Sequence, residues 1–389
     1  MSTMHRETKS IAILHSISQC HVISVPSFAD QEAAHEDTQE DQTSAEYPTS
    51  RYFRILGTGS FGVIIAHTGT DSVLKLATGL SSGPQALWNE MICYATIYEA
   101  WAKYKHLLRE DIRIPQVEDY IPFTRQYWWS ENARYFPNEV PVDLTNPPNA
   151  LRTQRIFPVP NAIHQAIITL FCDSTLQQTI RSSPKTKDSL LRIYLGKDKT
   201  TTSRPRRLKT FSMVNYPLSL DEMRKGQMPY ENYTVSIAGM LAVIHWGAEM
   251  DARDVEFVLG STPKYSNGIP PMGEVRKLAP NTDFNSIRRE VTPWCLDFNQ
   301  VKRFEISVDS IDALKWAHIA NDPYYPRPNE PEVWEIFTKE YLRVSTAIIT
   351  AKLAESNKPE ASKWQHASDA RLPQAFIRAV KDHFDSKSG

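Results

Sequence analysis

A handful of residues, spread along a 389-residue chain, have the types and spacing needed to handle phosphate. Gly57-Thr58-Gly59-Ser60-Phe61-Gly62-Val63 forms a G-x-G-x-x-G-x-V string between two strand-like segments. In a dinucleotide-binding turn such glycines must open a helix. Here strand-forming Val63, Ile64 and Ile65 follow, which disfavours that use. A glycine-rich strand–loop–strand instead lets backbone N–H groups approach phosphates with no Cβ in the way. Lys75 follows in Ser72-Val73-Leu74-Lys75-Leu76. An ammonium among apolar strand residues is costly unless it meets an anion. Phosphate oxygens and a carboxylate on the following helix would supply one, and Glu90 is the candidate carboxylate. The plain alternative is an edge-strand lysine whose head reaches solvent.

The second half of the chain adds carboxylates. A helical stretch ends at His245, Gly247 turns the chain, and Asp251, Asp254 and Glu256 precede the apolar run Phe257-Val258-Leu259. Asp251 is the candidate proton acceptor; Asp254 reads as a turn or cap residue that competes with it for that role. Trp294-Cys295-Leu296-Asp297-Phe298-Asn299 places another aspartate at the end of a short apolar strand. Trp246 and Trp294 read as core aromatics, and His245 as a hydrogen-bonded structural histidine rather than a proton shuttle.

The elements that must position these groups are legible from pattern. Residues 52–77 read as three short strands, and SSGP at 81–84 precedes an amphipathic helix from Gln85 to about Tyr104. Residues 111–160 are rich in proline and aromatics, which excludes a long helix and points to an irregular packed insertion. Further helices are expected at 162–180, 230–245 and 330–355, with one more short helix within 369–384. The expected organisation is a disordered arm with an acidic linker at 1–50, a small lobe at 51–110, an insertion and helical lobe at 111–354, and a tail at 355–389.

Composition sets limits. With 41% apolar residues and a net charge of −1, the chain can build a sizeable core and is no dedicated nucleic-acid or membrane-surface binder. No apolar run is long enough to span a membrane. Cys20, Cys93, Cys172 and Cys295 are scattered, which suits neither a disulfide framework nor a zinc finger. A cytoplasmic placement is expected, with a nuclear one as the alternative through the basic run at 185–209.

On these residues the chain resembles the protein-kinase-like superfamily, including its aminoglycoside-phosphotransferase branch. RIFPVPNAIHQAIITLFC (155–172), FSMVNYPLSL (211–220), IHWGAEMDARDVEFVLG (244–260), WCLDF (294–298) and NDPYYPRP (321–328) look more closely like a fungal family of unknown function that is loosely labelled zinc-finger-like. The resemblance implies an α+β, two-lobed kinase-like fold, with a small antiparallel-sheet lobe and a mainly helical lobe carrying insertions. It implies ATP and Mg²⁺ as cofactors and a hydroxyl on a protein or small molecule as acceptor. Gly57, Gly59 and Gly62 would cover the phosphates, Lys75 would contact them and Glu90 would orient Lys75. Asp251 would be the catalytic base, with Glu256 and Asp297 as Mg²⁺ ligands. Three departures stand out: Glu249-Met250 in place of His-Arg, Glu256 in place of Asn, and Asn299 in the third place of the Asp-Phe-Gly element. They raise the alternative of a pseudokinase acting as an interaction or regulatory module.

Overall fold

The computed structural model describes residues 3–16, 23–24, 53–59, 61–67, 69–77, 84–140, 142–183, 186, 188–196, 211–265, 287–355, 358–369 and 371–388. Helix α1 (Thr3–Ser16) and the two-residue strand β1 (Ile23–Ser24) come first. Then follow β2 (Phe53–Gly59), β3 (Gly62–His67), β4 (Ser72–Ala77) and the long helix α2 (Pro84–Tyr104). Beyond them lie β5 (Val117–Ile121), α3 (Gln126–Asn132) and β6 (Ala150–Gln154). These strands form one antiparallel sheet in the order β2-β3-β4-β6-β5.

Two of those strands come from the segment expected to be irregular. The prolines of 111–160 fall between short elements rather than inside them, so β5 and β6 remain free to pair. The sheet therefore extends past the small lobe expected at 51–110. Its outer face packs Phe53, Ile65, Leu74, Leu76 and Ile121 against Trp129 of α3 and Phe136, in a core of its own.

The remainder is mostly helical: α4 (Asn161–Phe171), α5 (Gln177–Ser182), β7 (Leu191–Tyr194), β8 (Tyr216–Ser219), α6 (Leu220–Lys225) and α7 (Tyr230–Ala242). A π-helical turn at Val243–Gly247 leads towards the hairpin strands β9 (Glu256–Tyr265) and β10 (Ile287–Leu296). Helices α8 (Ile311–Ala320), α9 (Pro331–Glu355), α10 (Lys358–Asp369) and α11 (Leu372–Ser388) complete it. Strands β10, β9, β7 and β8 form a mixed four-stranded sheet, with β7 parallel to β8 and the short β1 added at the outer edge of β10. The described residues are thus an α+β protein with eleven α-helices.

Residues 3–16 differ from the disordered arm expected. They form a helix because Leu14 is fully buried against the helical core, where a Cβ on Gly226 would lie 2.8 Å from it. The acidic run at 29–47 and Lys185, Lys187, Lys197, Lys199, Arg204, Arg206, Arg207 and Lys209 of the basic run lie outside the described residues.

The helical core is aromatic and encloses neutral histidines. His245 Nδ1 and Trp246 Nε1 both lie 2.9 Å from the Tyr341 hydroxyl, and His318 stacks on Tyr325 at 4.2 Å. Burial lowers His245 and His318 to about 3, and His164 to about 4. Because the unfolded chain takes up these protons first, each histidine's contribution is complete above about pH 6.5. It then declines by about 1.4 kcal/mol per unit as the pH falls towards the folded value. Imidazole ring-carbon NMR will show no titration of His164, His245 or His318 between pH 7.5 and about 5; a midpoint near 6.5 would refute the burial argument.

Candidate functional site

Strand alternation decides where Lys75 points. Leu74 and Leu76 turn into the sheet's own core, so Lys75 between them faces α2 and the helical body. Its Nζ lies 2.7 Å from Oε1 of Glu90, which α2 presents 4% exposed, and 3.2 Å from Oδ1 of Asp297. Burial pulls the lysine's pKa down, but the two carboxylates outweigh it and the ammonium is held above its ordinary value. The Glu90 carboxyl is raised, chiefly by burial.

Asp297 is held there from behind. One turn beyond Glu90 on α2, Tyr94 meets Phe298 edge-to-face at 4.7 Å, and Phe298 is fully buried. Anchoring Phe298 fixes its neighbour beside Lys75, although Asp297 must then adopt a left-handed backbone, at φ 63°. Leu296 pairs with Glu256 across the β9–β10 hairpin, so the hairpin end brings Glu256 alongside Asp297.

The loop before β9 is braced on several sides. Glu249, Ala252 and Asp254 all have positive φ, at 59°, 55° and 62°. Asp251 is 9% exposed, and its Oδ1 accepts the backbone N–H groups of Arg253 at 3.1 Å and Lys302 at 2.9 Å. Burial raises its carboxyl, partly offset by those N–H groups. Asp254 accepts from Gln300 Nε2 at 2.5 Å, and burial followed by the charge of Asp297 raises it. Glu256 is raised to about 7, first by burial, then by Asp297 and Asp254 acting against Arg192. Glu249 is gripped by Lys352 of α9 at 3.0 Å and Lys363 of α10 at 2.9 Å. Burial alone would raise its carboxyl; the two ammonium groups hold it below its ordinary value.

Lys75, Glu90 and Asp297 therefore converge, and Asp254 and Glu256 lie within electrostatic reach of Asp297. Asp251 lies in the same loop with its carboxylate turned into the backbone. Pattern reasoning missed two contributors. Asn321, at the end of α8, donates to the carbonyls of Ala252 at 2.8 Å and Val255 at 3.3 Å and accepts the Asp254 N–H at 2.5 Å. Arg192 of β7 reaches Glu256 at 2.7 Å. Both contacts are between segments far apart in sequence; the only local hint was a lone asparagine opening the Asp-Pro-Tyr-Tyr run.

The glycines differ in role. A Cβ on Gly62 would lie 2.3 Å from the Leu76 carbonyl oxygen, so the β3–β4 approach itself demands glycine. At Gly57, beside a bulge in β2, a Cβ would meet nothing within 4 Å, and at Gly59 its nearest neighbour would be 3.9 Å away. The outer side of that hairpin is open.

Among the described residues no group of three or more His, Cys, Asp and Glu could hold a metal ion by itself. Asp297, 30% exposed at its side chain, is a carboxylate available for a hard cation that takes its other ligands from phosphate and water, and Glu256 beside it is paired with Arg192. Cys93, Cys172 and Cys295 are free thiols. A family model described as "Zinc finger protein", for a domain family of unknown function, matches residues 293–353. That stretch carries Asp297, Phe298, Gln300 and Asn321. No curated protein and no solved structure matches the chain. No helix among the described residues is long and apolar enough to cross a membrane.

Two substitutions test the bracing. Gly62→Ala will lower the unfolding free energy by about 1–3 kcal/mol in urea titration, whereas Gly57→Ala will change it by less than about 1 kcal/mol. Asn321→Leu removes the side-chain partner of two loop carbonyls and one N–H, leaving Ala252 O only its longer bond from the Val255 N–H, and will cost on the order of 1–3 kcal/mol in the same titration; a neutral result would show that water replaces the brace.

Proposed function

We propose that the chain is an ATP- and Mg²⁺-dependent phosphotransferase of kinase-like, two-lobed build, moving a phosphoryl group from ATP to a hydroxyl of a protein or small molecule. The observation that carries this reading is Lys75, buried in a strand and held between Glu90 and Asp297 at 2.7 and 3.2 Å. A lysine so fixed presents positive charge at one point, and the glycine hairpin on the adjoining strands leaves room beside Gly57 and Gly59 for a ligand to approach the backbone. A five-stranded antiparallel sheet that carries both, a helix bearing Glu90, and a mainly helical remainder support the two-lobed arrangement.

On this reading Lys75 contacts the nucleotide phosphates, and Glu90 keeps the ammonium aimed. Gly57, Gly59 and Gly62 keep the covering hairpin free of obstructing side chains. Mg²⁺, when bound, would neutralise phosphate charge, with Asp297 and Glu256 as the carboxylates nearest to hand. Asp251 would accept the hydroxyl proton; its raised pKa makes it a better base than a solvated aspartate.

A second reading rests on a specific observation. Asp251 Oδ1 is occupied by two backbone N–H groups and Glu256 by Arg192, an arrangement that also suits a catalytically silent, kinase-shaped module binding partners. Calorimetry on the full chain separates nucleotide handling from mere shape. Mg²⁺–ATP will bind, and Lys75→Ala or Asp297→Asn will weaken binding at least about tenfold, the equivalent of about 1.4 kcal/mol. If millimolar ATP fails to bind the native chain, the phosphotransferase reading is wrong. If ATP binds normally and Asp251→Asn changes no phosphoryl transfer, the pseudokinase reading takes its place.

A further inference from the structure

Glu256 opens β9 and is 21% exposed at its side chain, while Arg192 of β7 is 28% exposed. Arg192 pairs in register with Val258, two residues along from Glu256. Both positions therefore lie on the same face of the sheet at a diagonal spacing, within reach of a long side chain. Arg192 Nη2 meets Glu256 Oε1 at 2.7 Å, and Arg192 Nε is buried with no hydrogen-bond partner. The rings of Tyr194 and Tyr324 meet edge-on at 5.0 Å in the same neighbourhood. Arg192 also hydrogen-bonds the Tyr194 side chain, and its guanidinium cannot lose its charge by deprotonation.

Resting on the phosphotransferase reading, we propose that the site takes a single divalent cation, at Asp297, and that Arg192, locked onto Glu256, supplies the second positive charge beside it. A metal ion on Glu256 would have to share that carboxylate with a guanidinium already at hydrogen-bonding distance. Two cations on one partly buried carboxylate repel each other strongly, since the low local dielectric does little to screen them. Asp297 is less committed: its cationic neighbour Lys75 lies farther off, at 3.2 Å, and is held more closely by Glu90 at 2.7 Å, and its side chain is the more exposed of the two carboxylates. The carboxylate that stands in place of the asparagine of kinase-like loops is, on this view, an arginine anchor rather than a metal ligand.

The test counts cations directly and needs no acceptor substrate. Mn²⁺ is titrated into the full chain with a non-hydrolysable ATP analogue, and free Mn²⁺ is read by electron paramagnetic resonance. One nucleotide-dependent Mn²⁺ per chain is expected in the native protein and in Glu256→Gln, and a second, weaker one in Arg192→Ala, where Glu256 is released. Arg192→Lys keeps the charge and the count of one. Two ions in the native protein, falling to one in Glu256→Gln, would overturn the proposal while leaving the nucleotide site standing. A count of one in a folded Arg192→Ala would also overturn it, since Arg192 would then exclude nothing. If Arg192→Ala does not fold, the native and Glu256→Gln counts decide alone. An absence of nucleotide-dependent Mn²⁺ from the native chain would overturn the phosphotransferase reading and this proposal with it.

Discussion

The ammonium of a lysine whose side chain is 15% exposed costs several kcal/mol unless it is neutralised, and in this chain that cost organises everything around it. Lys75 is satisfied only if α2 lies close enough for Glu90 to reach it and the end of β10 delivers Asp297 to its other side. Neither condition can be met by the sheet alone. The sheet supplies the direction, through the alternation that sends Leu74 and Leu76 one way and Lys75 the other; the helical body supplies the partners. Tyr94 and Phe298 connect the two, since they bind the helix that carries Glu90 to the segment that carries Asp297 through a buried aromatic contact.

The loop between the π-helical turn and β9 shows how strain is offset. Three non-glycine residues with positive φ fall within six positions of one another, an arrangement that would not persist in an isolated peptide. It is over-determined by Asn321 beneath it, by the Asp251 carboxylate folded back onto Arg253 and Lys302, and by the two lysines of α9 and α10 closing on Glu249. Those lysines also lie over Trp364, at 4.3 and 5.0 Å from its ring, so their positive charge is held in place by an aromatic face as well as by Glu249. The long helix α9 and helix α10, which lies in the stretch expected as a tail, are therefore part of what shapes the loop.

Much of this was legible from residue patterns, and the reasons for success and failure are physical. The three strands at 53–77 alternate apolar residues about tight turns, and α2 carries an apolar stripe at helical spacing, so local signals and tertiary packing agreed there. The order glycine hairpin, strand lysine, helix glutamate and strand-end aspartate pointed to the residues that converge, because each sits on an element whose own periodicity was readable. Proline hid β5 and β6, since a proline-rich segment with two short strands looks locally the same as one with none. Helix α1 was hidden because its own sequence is barely apolar and only one face, with Leu14 at its centre, finds a partner.

By itself, then, the sequence determined many of the elements, the α+β class of the fold and a short list of candidate site groups, since these depend on residue type and short-range spacing. Tertiary structure alone decided which carboxylates stay available. Asp251 turns its Oδ1 to the backbone, Asp254 comes within reach of Asp297, and Glu256 is claimed by Arg192 from a strand far off in the chain. Such pairings depend on strand register and on which side chain is desolvated beside which, quantities that exist only once the chain has closed on itself.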